Sequence, residues 1–124
     1  MFDIERAQVL LDEICEELPP AFFDKLNGGI CLLPDVKTNP MGRGNELYIL
    51  GEYVRSRALG RYINIYYGSI ERVYGWADGA HIRHQLREVL LHEFTHHLES
   101  LAGERGLEIK DAVQMLDYLG RRTN

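Results

Sequence analysis

From Ala80 to Ala102 the chain carries neither glycine nor proline, and its apolar residues recur at helical spacing. Ile82, Leu86, Val89, Leu90, Phe94, His97, Leu98 and Leu101 form one broad stripe. Asp78 stands where a side-chain oxygen can accept from an orphan amide of the first turn. Gly103 stands where a left-handed residue can end the helix. The pattern predicts one helix from about Gly79 to Ala102, roughly 36 Å long at the usual rise of about 1.5 Å per residue. An apolar stripe of that length needs a layer to bury it, so the rest of the fold must pack along this helix.

Inside the helix lies His92-Glu93-Phe94-Thr95-His96, an HExxH pattern. Positions i and i+4 project from nearly the same side, so His92 and His96 can offer two imidazole nitrogens to one metal ion. Glu93 lies about 100° further round, placed to reach a metal-activated water instead of the ion. With 5 histidines in 124 residues, the pattern arises by chance about 2 times in 100. The helical context around it therefore carries the assignment. Both histidines sit at the edge of the apolar stripe, where core gives way to cleft.

A catalytic zinc site needs a third protein ligand. The metzincin extension requires Gly at 99 and His at 102, whereas the chain has Glu99 and Ala102. Four carboxylates compete: Glu99, Glu104, Glu108 and Asp111. The last two open a final helix expected over about Glu108 to Leu119, and a chain reversal after Gly103 would return them over the site. Asp111 is the favoured ligand, followed by Glu108. His97 points into the apolar stripe and is expected to be a hydrogen-bonded core residue, with His81 and His84 on the surface. Tyr62, Tyr66, Tyr67 and Tyr118 are candidate donors to an oxyanion, and Met115 is read as core.

The remaining chain suits one domain spanning residues 1–124. Hydrophobic residues make up 45% and charged residues 27%, the balance of an ordinary globular protein. A formal charge of −5 argues against nucleic acid as a partner, and no apolar run is long enough to cross a membrane. The first residues lack the basic-then-apolar order of a signal peptide, so the expected compartment is the cytoplasm. Cys15 and Cys31, far apart and outside any ligand spacing, read as buried thiols.

Asp3 caps a first helix with the stripe Ile4, Ala7, Leu10, Leu11, Ile14, Cys15 and Leu18, and Pro19-Pro20 ends it. A short second helix runs to about Leu26, and Ile30 to Leu33 is a strand. Residues 34–45 read as a mobile loop. A second strand spans about Glu46 to Arg55 with a possible bulge at Gly51, and a third spans Arg61 to Tyr67. Ser69 is expected to cap a helix through Tyr74. The expected class is α+β, with a small, mostly antiparallel three-stranded sheet packed on the long HExxH helix.

The chain resembles the minimal zincins, small bacterial HExxH proteins read as zinc metallopeptidases. The resemblance rests on the leading helix running into Leu18-Pro19-Pro20, the short strands, and His92-Glu93-Phe94-Thr95-His96-His97-Leu98. In that group a Gly and an Asp follow the motif at once and complete the metal site. Here Glu99-Ser100-Leu101-Ala102 precede Gly103, and the nearest acidic element is Leu107-Glu108-Ile109-Lys110-Asp111. The resemblance implies a zincin-like fold and a Zn2+ site. The expected activity is hydrolysis of a peptide or protein substrate, with Glu93 as the base. An extended peptide would add to the sheet edge, with Arg61 to Tyr67 as the expected strand. The alternative is an inactive zinc-binding module that binds peptides or regulates a partner.

Overall fold

The structure, a computed structural model, describes residues 2–43 and 47–105. Helix α1 spans Ile4–Glu17, and Asp3 caps it by accepting from the Arg6 amide at 2.8 Å. Its stripe is buried through Ala7, Leu10, Leu11 and Ile14. After Pro19 the expected second helix is a 3-10 turn of four residues, Pro20–Phe23. Proline supplies its fixed φ there, and the turn closes before an α-helix can propagate. The turn drives Phe22 fully into the core, with its ring 5.8 Å from that of Phe94.

Strands follow as β1 (Gly29–Leu33), β2 (Lys37–Thr38), β3 (Tyr48–Ile49), β4 (Gly51–Ser56) and β5 (Gly60–Tyr66). Helices α2 (Tyr67–Tyr74) and α3 (Gly79–Arg105) complete the described residues. The protein is α+β, as the sequence pattern predicts. Its main sheet has the order β1-β5-β4, with β1 parallel and β4 antiparallel to β5. The sheet is thus mixed, not mostly antiparallel. The chain crosses over between β1 and β4, which brings β5 back between them.

Three further readings are corrected. Residues 37 and 38, expected in a loop, pair with β3 in a small antiparallel sheet, a contact between segments that local composition does not report. Ser69 caps nothing: α2 starts straight from β5, and the buried Ser69 hydroxyl instead accepts from the Lys37 amide at 2.8 Å and donates to the Lys37 carbonyl at 3.0 Å. Gly103 does not end the long helix, which continues to Arg105. The expected helix over Glu108 to Leu119 lies outside the described residues, as does Met115.

One apolar core joins these elements. Leu86, Leu90, Phe94 and Leu98 of α3 meet Leu10, Leu11 and Ile14 of α1 on one side and Ile63 and Ile65 of β5 on the other. Fully burying each such side chain contributes about 1.5–3 kcal/mol. Asp78 caps α3 as expected, accepting from the His81 amide at 2.8 Å. The α1–α3 seam is closed at its rim by Glu17, which pairs with both Arg83 and Arg87. No helix among the described residues is long and apolar enough to cross a membrane.

Candidate metal centre

The face of α3 away from α1 carries His92, Glu93 and His96 at the floor of a cleft of about 740 Å3. The opposite wall is β4, through Gly51, Glu52, Tyr53 and Arg55. The wall can stand close because Gly51 has no side chain. A Cβ there would meet Val89 Cγ1 at 2.9 Å, inside ordinary contact distance. Gly51 is therefore a point of helix–strand approach, not a bulge in the ladder.

One donor atom from each of His92, Glu93 and His96 falls within 4.8 Å of the others. The two imidazoles have centroids 4.8 Å apart and planes at 84°. Zinc–nitrogen bonds of about 2.0–2.1 Å in tetrahedral geometry bring donor atoms to roughly 3.4 Å. Both imidazoles have room to turn toward a shared ion: the His92 side chain is 69% exposed and His96 is also exposed. The donor chemistry and spacing fit a divalent borderline metal such as zinc. Glu93 differs in kind from the histidines. It is 6% exposed, and its Oε2 lies 3.1 Å from His92 Nδ1.

His97 is the core residue that its place on the stripe implies. It is fully buried, with Nε2 2.7 Å from the Asp24 carbonyl oxygen and Nδ1 2.9 Å from the Tyr53 hydroxyl. A carbonyl can only accept, so Nε2 carries the proton and Nδ1 accepts from Tyr53. Burial pushes the imidazole below its ordinary pKa, more than the Asp24 hydrogen bond raises it. Burial likewise pushes the Tyr53 phenol upward, against the opposing influence of Arg61 and Ser100. The Tyr53 proton is committed to His97, so toward other groups the phenol oxygen can only accept.

Tyr53 is a cleft residue that sequence reading overlooked in favour of other tyrosines. Tyr66 donates to Glu52 Oε1 at 2.6 Å, and Tyr67 donates to the Phe2 carbonyl at 2.8 Å. Tyr62 does not line the cleft, and Tyr118 lies outside the described residues. The signal for Tyr53 was its alternation with Gly51 and Arg55, which puts all three on one face of a strand. Glu52 points to the other face, where Lys37 pairs with it at 2.5 Å. Burial would raise its carboxyl, but hydrogen bonds from Lys37 and Tyr66 together hold it below the ordinary range.

Of the four carboxylates considered as third ligand, Glu99 lines the cleft but stands outside the close donor group. Asp111, the favoured residue, lies outside the described residues, as do Glu108 and the side chain of Glu104. His81 is exposed against the Trp76 ring, and His84 stands 3.8 Å from Glu88. Neither joins a metal-ligating group among the described residues. Cys15 and Cys31 are half-buried free thiols.

No protein-family model and no curated protein matches the chain. Among solved structures, a conserved hypothetical protein from Thermo thermophilus is similar, with 35% sequence identity and a TM-score of 0.69. The likeness covers 82% of this chain and 99% of the other.

Proposed function

The chain belongs to the same family as that conserved hypothetical protein from Thermo thermophilus, and from the geometry of the α3 cleft we propose a zinc-dependent metallopeptidase with a zincin-like fold. The observation that carries this reading is the convergence of His92, His96 and Glu93 donor atoms within 4.8 Å, facing a strand with one edge unpaired among the described residues. His92 and His96 would hold the ion as neutral imidazoles. When bound, it would supply Lewis acidity, polarising a carbonyl and acidifying a water. Glu93, largely shielded from solvent and adjacent to both histidines, would serve as the general base, holding a proton on its carboxylate and returning it to the leaving amine. Asp111 remains the proposed third ligand.

The strand expected to receive the substrate must be revised. β5 is the central strand, with β1 and β4 hydrogen-bonded on its two sides, so a peptide cannot add to it. Among the described strands β4 lies at the edge of the sheet, and it also walls the cleft. An extended peptide on β4 would satisfy its outward amides and carbonyls and lie over the histidine pair.

Metal content of the purified protein, measured by mass spectrometry, tests the reading. One zinc per chain is expected, lost in His92→Ala and His96→Ala and retained in Glu93→Gln. Peptide-library cleavage should occur with the wild type and fall at least about 100-fold in Glu93→Gln, the scale of a general base. Retained zinc with no cleavage by the wild type would favour the zinc-binding regulatory module. Absence of zinc after incubation with the ion at neutral pH would overturn both.

A further inference from the structure

β4 and β5 are joined by a tight turn at residues 57–59, closed by Gly60 at φ 77° and by the Ser56 hydroxyl accepting from the Ala58 and Leu59 amides. This hairpin end gathers three arginines. Arg55 and Arg61 are direct cross-strand partners, in the same register as Tyr53–Ile63 and Gly51–Ile65. Alternation therefore places both on the face turned toward α3. Arg57 follows in the turn. Together they line a depression of about 310 Å3 with Ser56 and Gly60.

In a chain with a formal charge of −5, three guanidinium groups at one hairpin end run against the overall balance. Arg55 and Arg57 are exposed, and neither forms a salt bridge with a carboxylate among the described residues. Arg55 lines this depression and the metal cleft alike, so the two adjoin at that side chain. From Tyr53 to Arg55 is two residues, roughly 6.6 Å along a strand.

We propose that the β4–β5 hairpin is a carboxylate subsite of the cleft, selecting peptides that carry an acidic side chain about two residues along from the position facing Tyr53. Guanidinium groups suit this ligand because their planar fork can hold both carboxylate oxygens at once. The subsite rests on the reading of β4 as the peptide-binding edge and deepens it by naming the substrate class, an acidic peptide. It does not depend on the metal.

The test uses the full chain with Glu93→Gln, so that bound peptide is not turned over. The probes are two blocked nine-residue alanine–valine peptides differing only in a central Glu or Gln. Binding is followed by NMR through the arginine Nε–H signals and the backbone amides of β4. The Glu peptide should shift Arg55 and Arg57 together with the β4 amides and bind about five- to tenfold more tightly than the Gln peptide. Arg55→Gln with Arg57→Gln, both exposed positions, should abolish that preference, and Arg55→Lys should keep part of it.

Equal binding of the two peptides with β4 shifts would overturn the subsite and leave the β4 edge standing. Arginine shifts without β4 shifts would overturn the edge, and with it the subsite as stated. No shift with either peptide, preference surviving in the double variant, or tighter binding of a short single-stranded oligonucleotide to the same arginines would each overturn the proposal.

Discussion

Gly51 sets the width of the cleft, and replacing it tests that claim quantitatively. An alanine Cβ there would stand 2.9 Å from Val89 Cγ1, and 3.3 Å from both the Asn64 carbonyl and Ile65 Cδ1. The first distance forces a displacement, while the other two need only a few tenths of an ångström. Overpacking of this kind costs about 1–3 kcal/mol. Alanine also restricts the unfolded chain, which offsets about 0.4–1 kcal/mol. Gly51→Ala should therefore destabilise by about 1–2 kcal/mol. Val89→Ala alone removes two half-buried methyl groups and should cost about 1–2 kcal/mol.

In the double variant the closest clash is gone, so the Gly51→Ala cost should fall to less than half its value in the wild type. Urea unfolding of the four proteins, with the m-value held constant, measures this coupling. Additivity within about 0.5 kcal/mol would refute the claim that the strand and helix touch at this point. The same displacement moves β4 from the histidine pair. Misplacements near 1 Å can cost about 100-fold in rate. On the metallopeptidase reading, Gly51→Ala should thus lose turnover and Val89→Ala should partly restore it.

Replacing His97 by Leu removes its hydrogen bonds with the Asp24 carbonyl and the Tyr53 hydroxyl and should cost about 1–3 kcal/mol in the same unfolding assay. Because the folded-state pKa of His97 is depressed by burial, the unfolded chain binds the extra proton first as pH falls. Its stabilisation is present above about 6.5 and declines as pH drops below that value. Unfolding between pH 7.5 and 5 should show a steeper loss in the wild type than in His97→Gln, and parallel profiles would count against the buried neutral imidazole. Burial, then Asp12, pushes the Cys15 thiol up to about 11. Iodoacetamide at pH 8 should leave Cys15 unlabelled in the folded protein and label it after unfolding, as read by peptide mass spectrometry.

The sequence by itself determined the parts whose causes are local. Asp3 and Asp78 announced two helix starts because a cap bonds an amide only three residues away. The His92–His96 pairing and the burial of His97 followed from helical periodicity alone, since 3.6 residues per turn places each side chain relative to its neighbours. Gly103 misled because a glycine permits a left-handed end without requiring one, and the helix runs on to Arg105.

Only the tertiary structure decided what faces the α3 site. Strand composition marked residues 61–67 as a strand, but nothing local says whether it lies at the edge or in the middle. That depends on β1 finding it from 33 residues away and β4 from 4 to 14. The long pairing is a non-local choice made by burying Ile63 and Ile65 against α3. With β5 central, β4 is left at the edge among the described strands. Tyr53 then enters the cleft, Arg55 lies opposite Arg61, and Gly51 becomes the point where strand and helix touch.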